Sequence, residues 1–126
     1  FVCSGNHDVS ESGDVSWIRA SNIYADGDIK TLEGIKFGCA PYLCADILDF
    51  AECDVLLTHI PPAHTQTSIE RGRDFGDKEL FRVLKHGLLK AKIIFCGHVH
   101  NPLLNIDKIG DCTIYNSSLK LNILEI

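Results

Sequence analysis

The chain has 126 residues, of which 45% are hydrophobic and 23% charged, and its formal net charge is −5 at pH 7. That is one domain's worth of soluble globular protein, long enough to bury a core. The acidity argues against a nucleic-acid polymer or an anionic membrane as partner. No apolar run approaches the roughly 18 to 20 residues that span a bilayer, and no basic segment precedes an apolar one as in a signal peptide. The first residue is Phe rather than Met, and Phe1-Val2-Cys3 read as a strand already under way. A piece lacking its natural start is expected.

The elements follow in chain order. Phe1 to Ser4 reads as a buried strand ending in a Gly5-Asn6 turn, where Gly5 permits a tight bend. Val15 to Ala20 reads as a short helix and Ile23 to Ala25 as a short strand. Ile29 to Leu32 and Ile35 to Cys39 flank Glu33-Gly34, a hairpin signal. Pro41 to Ala51 is ambiguous, with Ile47, Leu48 and Phe50 suited to a short helix. Val55-Leu56-Leu57 is a continuous apolar run, as expected of a strand covered on both faces. Pro61-Pro62 bars a regular element, and Ala63 to Phe75 reads as a long polar loop of the kind that often carries function. Asp77 is the expected N-cap of a helix through about Leu89, weakened or ended by Gly87. Ile93 to Cys96 is the third buried strand. Leu103 to Ile106, Thr113 to Asn116 and Leu119 to Ile126 read as closing strands, the last by its alternation. Strand, helix, strand order in the middle argues for an α/β fold.

Six cysteines are present and none forms a Cys-x-x-Cys pair. Cys3, Cys53 and Cys96 lie in or beside apolar runs, so reduced thiols acting as small hydrophobes are expected, which implies a cytoplasmic location.

Three short runs carry the chemistry: Gly5-Asn6-His7-Asp8, Thr58-His59 and Gly97-His98-Val99-His100. Each follows a strand-like stretch, where α/β sheets usually bind ligands. Together they gather one amide, one carboxylate and four imidazoles. That set suits one or two divalent transition metals and a proton donor. In an extended stretch His98 and His100 would point the same way. Asp8 beside His7 would raise and orient that imidazole, or simply cap the turn. Arg71, Arg73 and His64 of the long loop are weaker candidates for gripping a phosphate.

The order and spacing of these motifs resemble those of the calcineurin-like metallophosphoesterase superfamily. Cys53 to Pro62 and the later Asn116-Ser117-Ser118 are similar to its branch of metallophosphoesterase-domain proteins. The resemblance spans essentially the whole chain and is most specific at the three motifs. It implies a four-layer α/β/β/α sandwich with its N-terminal part missing. It implies two divalent metals drawn from manganese, iron and zinc, and hydrolysis of a phosphomonoester or phosphodiester substrate by a hydroxide shared between them. By resemblance, Asn6, His59 and His98 ligate the second metal and His100 the first. His7 is not a ligand but protonates the leaving group, and Asp8 orients His7.

The chain departs from the family in one respect. The two motifs that supply the remaining ligands of the first metal, and the carboxylate bridging both, precede the Gly-Asn-His motif and are not in this sequence. Asp14, Asp26 and Asp28 come after that motif and do not match them. This chain alone is therefore expected to build an incomplete site. The alternative is a non-catalytic scaffold or interaction domain on the same fold, whose exposed sheet edge would favour self-association.

Overall fold

The computed structural model describes residues 1–8 and 22–125. The helix expected over Val15 to Ala20 lies outside them. Among the described residues the chain is mixed α/β with little helix. In chain order it forms β1 (Ile29–Leu32), β2 (Ile35–Cys39), a 3₁₀ turn (Ile47–Phe50), β3 (Val55–Leu57), β4 (Ile69–Glu70) and β5 (Arg73–Asp74). It continues with α1 (Lys78–Lys85), β6 (Ile93–Cys96), β7 (Ile106–Ile109) and β8 (Cys112–Asn116).

One six-stranded sheet runs in the order β1-β2-β3-β6-β8-β7. Its four central strands are mutually parallel. The edges β1 and β7 are antiparallel additions. The β1–β2 hairpin falls where its turn signal put it. Both turn residues take positive φ, 48° at Glu33 and 84° at Gly34, the twist that suits a tight hairpin.

The path from β2 through β3 to β6 steps across the sheet in one direction. The connections after β2 and β3 lay the 3₁₀ turn and α1 into one core with these strands, as crossovers of a common hand would. On one face of the sheet Leu56, Ile94 and Ile114 are fully buried beneath Leu80 and Val83 of α1, with Phe50 from the 3₁₀ turn. The opposite face is only half-covered: Phe37, Leu57, Ile93, Phe95 and Tyr115 each keep some exposure. Phe1 stacks on Phe37 at 4.9 Å and Phe95 on Tyr115 at 5.5 Å, which shields part of it.

Asp77 does cap α1, accepting the backbone N–H of Glu79 at 2.8 Å and of Leu80 at 3.0 Å. The helix ends at Lys85 with His86 as C-cap, short of the expected Leu89. The chain then turns through Gly87, whose φ of 68° no ordinary side chain favours.

Several expectations are corrected. Phe1 to Ser4 and Ile23 to Ala25 are not strands. They share the contact Val2 N–H to Tyr24 O at 2.9 Å, but no ladder forms. The strand expected at Leu103 to Ile106 lies later, at β7, where it pairs with β8. Residues 119–125 form no strand, and Leu119, Leu121 and Ile123 stand over 80% exposed. They pair with no strand of the sheet, although its edges β1 and β7 each keep an open side. The long loop is not structureless: it holds the small β4–β5 hairpin and the buried Thr65, Thr67 and Ser68. Their hydroxyls bond within the loop, Thr65 to Pro62 O at 2.8 Å and Ser68 to Thr65 O at 2.9 Å.

All six cysteines are free thiols, and four are buried. Burial pushes the Cys3 thiol up to about 12 and the Cys112 thiol to about 11, which keeps both protonated and unreactive at neutral pH. No helix among the described residues is long and apolar enough to cross a membrane.

Candidate metal centre

The C-terminal ends of β3 and β6 are neighbours in the sheet, so the residues that follow them meet. Gly97 N–H donates to His59 O at 2.9 Å, tying the two loops together just where the imidazoles begin. The Gly5–Asp8 turn rests on His59.

That turn is held on each side. Asp8 Oδ2 accepts Gly5 N–H at 2.7 Å, and Asp8 N–H returns to Gly5 O at 3.0 Å. Asp26 Oδ1 accepts Ser4 N–H at 2.7 Å, and Ser4 Oγ accepts Tyr42 N–H at 3.2 Å. Asp26 and Asp28 thus brace the chain around the turn; Asp28 Oδ2 accepts Ala25 N–H at 2.8 Å. Gly5 is needed for space rather than for a special φ. A Cβ built there would lie 2.5 Å from His59 Cε1, so the backbone rests directly on the imidazole.

Three donor atoms converge. Asn6 Oδ1 lies 2.7 Å from His59 Nε2, and His98 Nδ1 lies 3.2 Å from the same nitrogen. One proton on His59 Nε2 can serve only one of these two neighbours well. A cation among the three would satisfy all of them. Bonds of about 2.1 Å from a first-row metal place adjacent donors about 3.0 to 3.4 Å apart. His98 Nδ1, at 3.2 Å from His59 Nε2, stands at that spacing, and Asn6 Oδ1, at 2.7 Å, would have to draw back slightly to share a metal with it. Among the described residues no group of three or more His, Cys, Asp or Glu side chains is arranged to hold a metal; here an amide stands as the third donor.

The electrostatics favour neutral imidazoles. Burial first, then the neighbouring His98, pushes the His59 pKa below its ordinary 6.5. Burial, then His100 and His7, does the same to His98. These influences also show that His7 and His100 sit within electrostatic reach of the pair. His7 is exposed on the same turn as Asn6. His100 lines an open cleft with His59, His98, Cys3, Ser117 and Ser118.

His98 and His100 are not presented by an extended strand, contrary to the sequence expectation. Val99 N–H bonds back to Gly97 O at 2.7 Å, closing a γ-turn with His98 at its centre. The φ of His98 is +65°, a left-handed value that costs a residue with a Cβ about 1–3 kcal/mol. His98 is thereby turned inward, half-buried, while His100 stays exposed.

Two residues of this region escaped the sequence analysis as parts of the site. Tyr42 packs edge-on against His59, with ring centroids 5.4 Å apart at 87°. Asn116 is fully buried and bonds to the backbone beside His98. Nothing local marks Tyr42. Asn116 opens the Asn-Ser-Ser run and ends a strand beside that of the histidines, but no signal in the sequence gives its side chain a part in the site. The loop candidates are placed elsewhere. His64 faces Asp74 at 3.4 Å and packs on Phe81 at 4.9 Å. Arg71 and Arg73 stand exposed on the β4–β5 hairpin.

No family model, no curated protein and no solved structure matches this chain, so the chemistry of the cluster stands on its own geometry.

Proposed function

We propose that Asn6, His59 and His98 hold one divalent transition metal, and that the chain is the metal-holding and proton-donating part of a phosphoesterase. The observation that carries this reading is the convergence of Asn6 Oδ1, His59 Nε2 and His98 Nδ1 from three separate motifs. An ion of this class neutralises charge on phosphoryl oxygens and lowers the pKa of an attacking water. His7, exposed on the turn beside Asn6, donates a proton to the departing oxygen of a phosphoester. Asp8 closes the turn that presents His7. His100, on the wall of the cleft, is the described imidazole left over for a second metal, and the dinuclear form of the reading requires further carboxylate donors beside it. Manganese, iron and zinc all suit an amide and imidazoles. The half-exposed sheet face is where the second sheet of a four-layer α/β/β/α sandwich would pack.

The test is metal content by elemental mass spectrometry after exchange into metal-free buffer and back-titration with Mn²⁺ or Zn²⁺. One tightly held ion per chain is expected, lost in His98→Asn and retained in His7→Ala. Where an added metal supports hydrolysis of bis(p-nitrophenyl) phosphate, His7→Ala should abolish turnover without losing the ion. A wild-type chain that takes up no metal overturns the reading.

The half-exposed apolar face supports a second reading, an interaction domain without catalysis. Concentration-dependent self-association by sedimentation, in a chain that holds no metal, would favour it over the first.

A further inference from the structure

We propose that Asn116 is the positioning residue that keeps His98 in its metal-binding orientation, by gripping the backbone on both sides of it. The inference rests on the metal reading of Asn6, His59 and His98.

Asn116 ends β8, paired across the sheet with Cys96 of β6. Its side chain is wholly buried. Nδ2 donates to Val99 O at 2.9 Å and to Thr67 O at 3.1 Å, with Gly97 O at 3.5 Å. Oδ1 accepts Ser118 N–H at 2.9 Å. A buried amide is costly unless its donors and acceptor are all used, and here they are. The partners come from three segments: the γ-turn around His98, the long loop after β3, and the chain leaving β8. One side chain therefore locks the turn to the sheet.

The turn needs a lock. His98 holds a φ of +65° that its Cβ disfavours. Relaxation to negative φ would swing the imidazole away from His59. Gly97 and Val99 are the residues on either side of His98, and both of their carbonyls face the Asn116 amide. Val99, itself 2% exposed, anchors the far side of the turn in the protein. The hydrogen bonds of the Asn116 side chain among the described residues go to backbone groups and to neither imidazole ring. Its influence on the metal therefore runs through the backbone on either side of His98. Partners that orient metal ligands typically change affinity about 10- to 100-fold when removed.

The experiment uses Co²⁺ as probe, with affinity from competition against a chromophoric chelator and geometry from the visible absorption band. Asn116→Asp keeps the shape and the acceptor but sets a carboxylate against three carbonyl oxygens. Asn116→Ser is too short to reach them. Both are expected to weaken Co²⁺ binding about 10- to 100-fold and to alter the band. Ile114→Val, buried on the same strand and away from the turn, is expected to lower stability while leaving affinity and band unchanged. Folded Asn116 variants with wild-type affinity and band overturn the proposal, as does equal weakening in Ile114→Val. Should the Asn116 variants not fold, the wild-type chain decides. Zn²⁺ should shift the Asn116 side-chain amide signals in a ¹⁵N spectrum and slow their exchange, and unchanged signals overturn the proposal. A wild-type chain that binds no Co²⁺ fails the metal reading itself, an outcome distinct from loss in the variants alone.

Discussion

The same two strands, β3 and β6, behave differently over their length and at their C-terminal ends. Along the strands, Leu56 and Ile94 lie fully buried against α1, with extended backbone and ordinary apolar packing. Immediately beyond, His59 and His98 crowd ring against ring at 5.0 Å, one of them on a left-handed turn. The first region has a relaxed backbone and removes apolar surface from water. The second holds strained backbone and imidazoles whose protonated forms repel. Stability from the packed face is what allows the cluster to persist without a favourable local conformation of its own.

The contrast can be broken from the packed side. Ile94→Ala removes a fully buried side chain beneath α1 and should cost about 2–5 kcal/mol, read from urea unfolding. A loss below 1 kcal/mol would show that this face is not where the stability lies. Gly5→Ala attacks the other region. Its Cβ would overlap the His59 ring, so a loss of about 1–3 kcal/mol is expected, together with weakened metal uptake because His59 must move. Unchanged Mn²⁺ or Zn²⁺ affinity in that variant would contradict the close approach.

The smallest effect sharpens the comparison through pH. His59 and His98 are both held below 6.5 in the folded chain. Between their folded pKa values and 6.5 the unfolded chain binds more protons. Stability therefore rises with pH through that window and falls on acidification. The metal-free chain should show a lower urea midpoint at pH 5.5 than at pH 7.5, and the difference should shrink in His98→Asn. A drop of equal size in that variant would place the titration elsewhere.

Much of the packed region could be read from local pattern. The β1–β2 hairpin, the apolar runs of β3 and β6 and the Asp77 cap are each encoded within a few neighbouring residues, by turn chemistry, continuous hydrophobicity or a capping carboxylate. Leu119 to Ile126 shows where such pattern misleads: the alternation of a strand is there, but a strand exists only by pairing with another, and residues 119–125 join no edge of the sheet. The short motifs likewise named Asn6, His59 and His98 as chemically able residues. Only the tertiary structure decided that their donor atoms meet, because the parallel pairing of β3 with β6 sets the ends of two distant segments side by side. The roles of Gly5 as a space for His59, of Tyr42 against its ring and of Asn116 around His98 belong to the same class. Each depends on a contact between residues far apart in the chain, and no local spacing or propensity records such a contact.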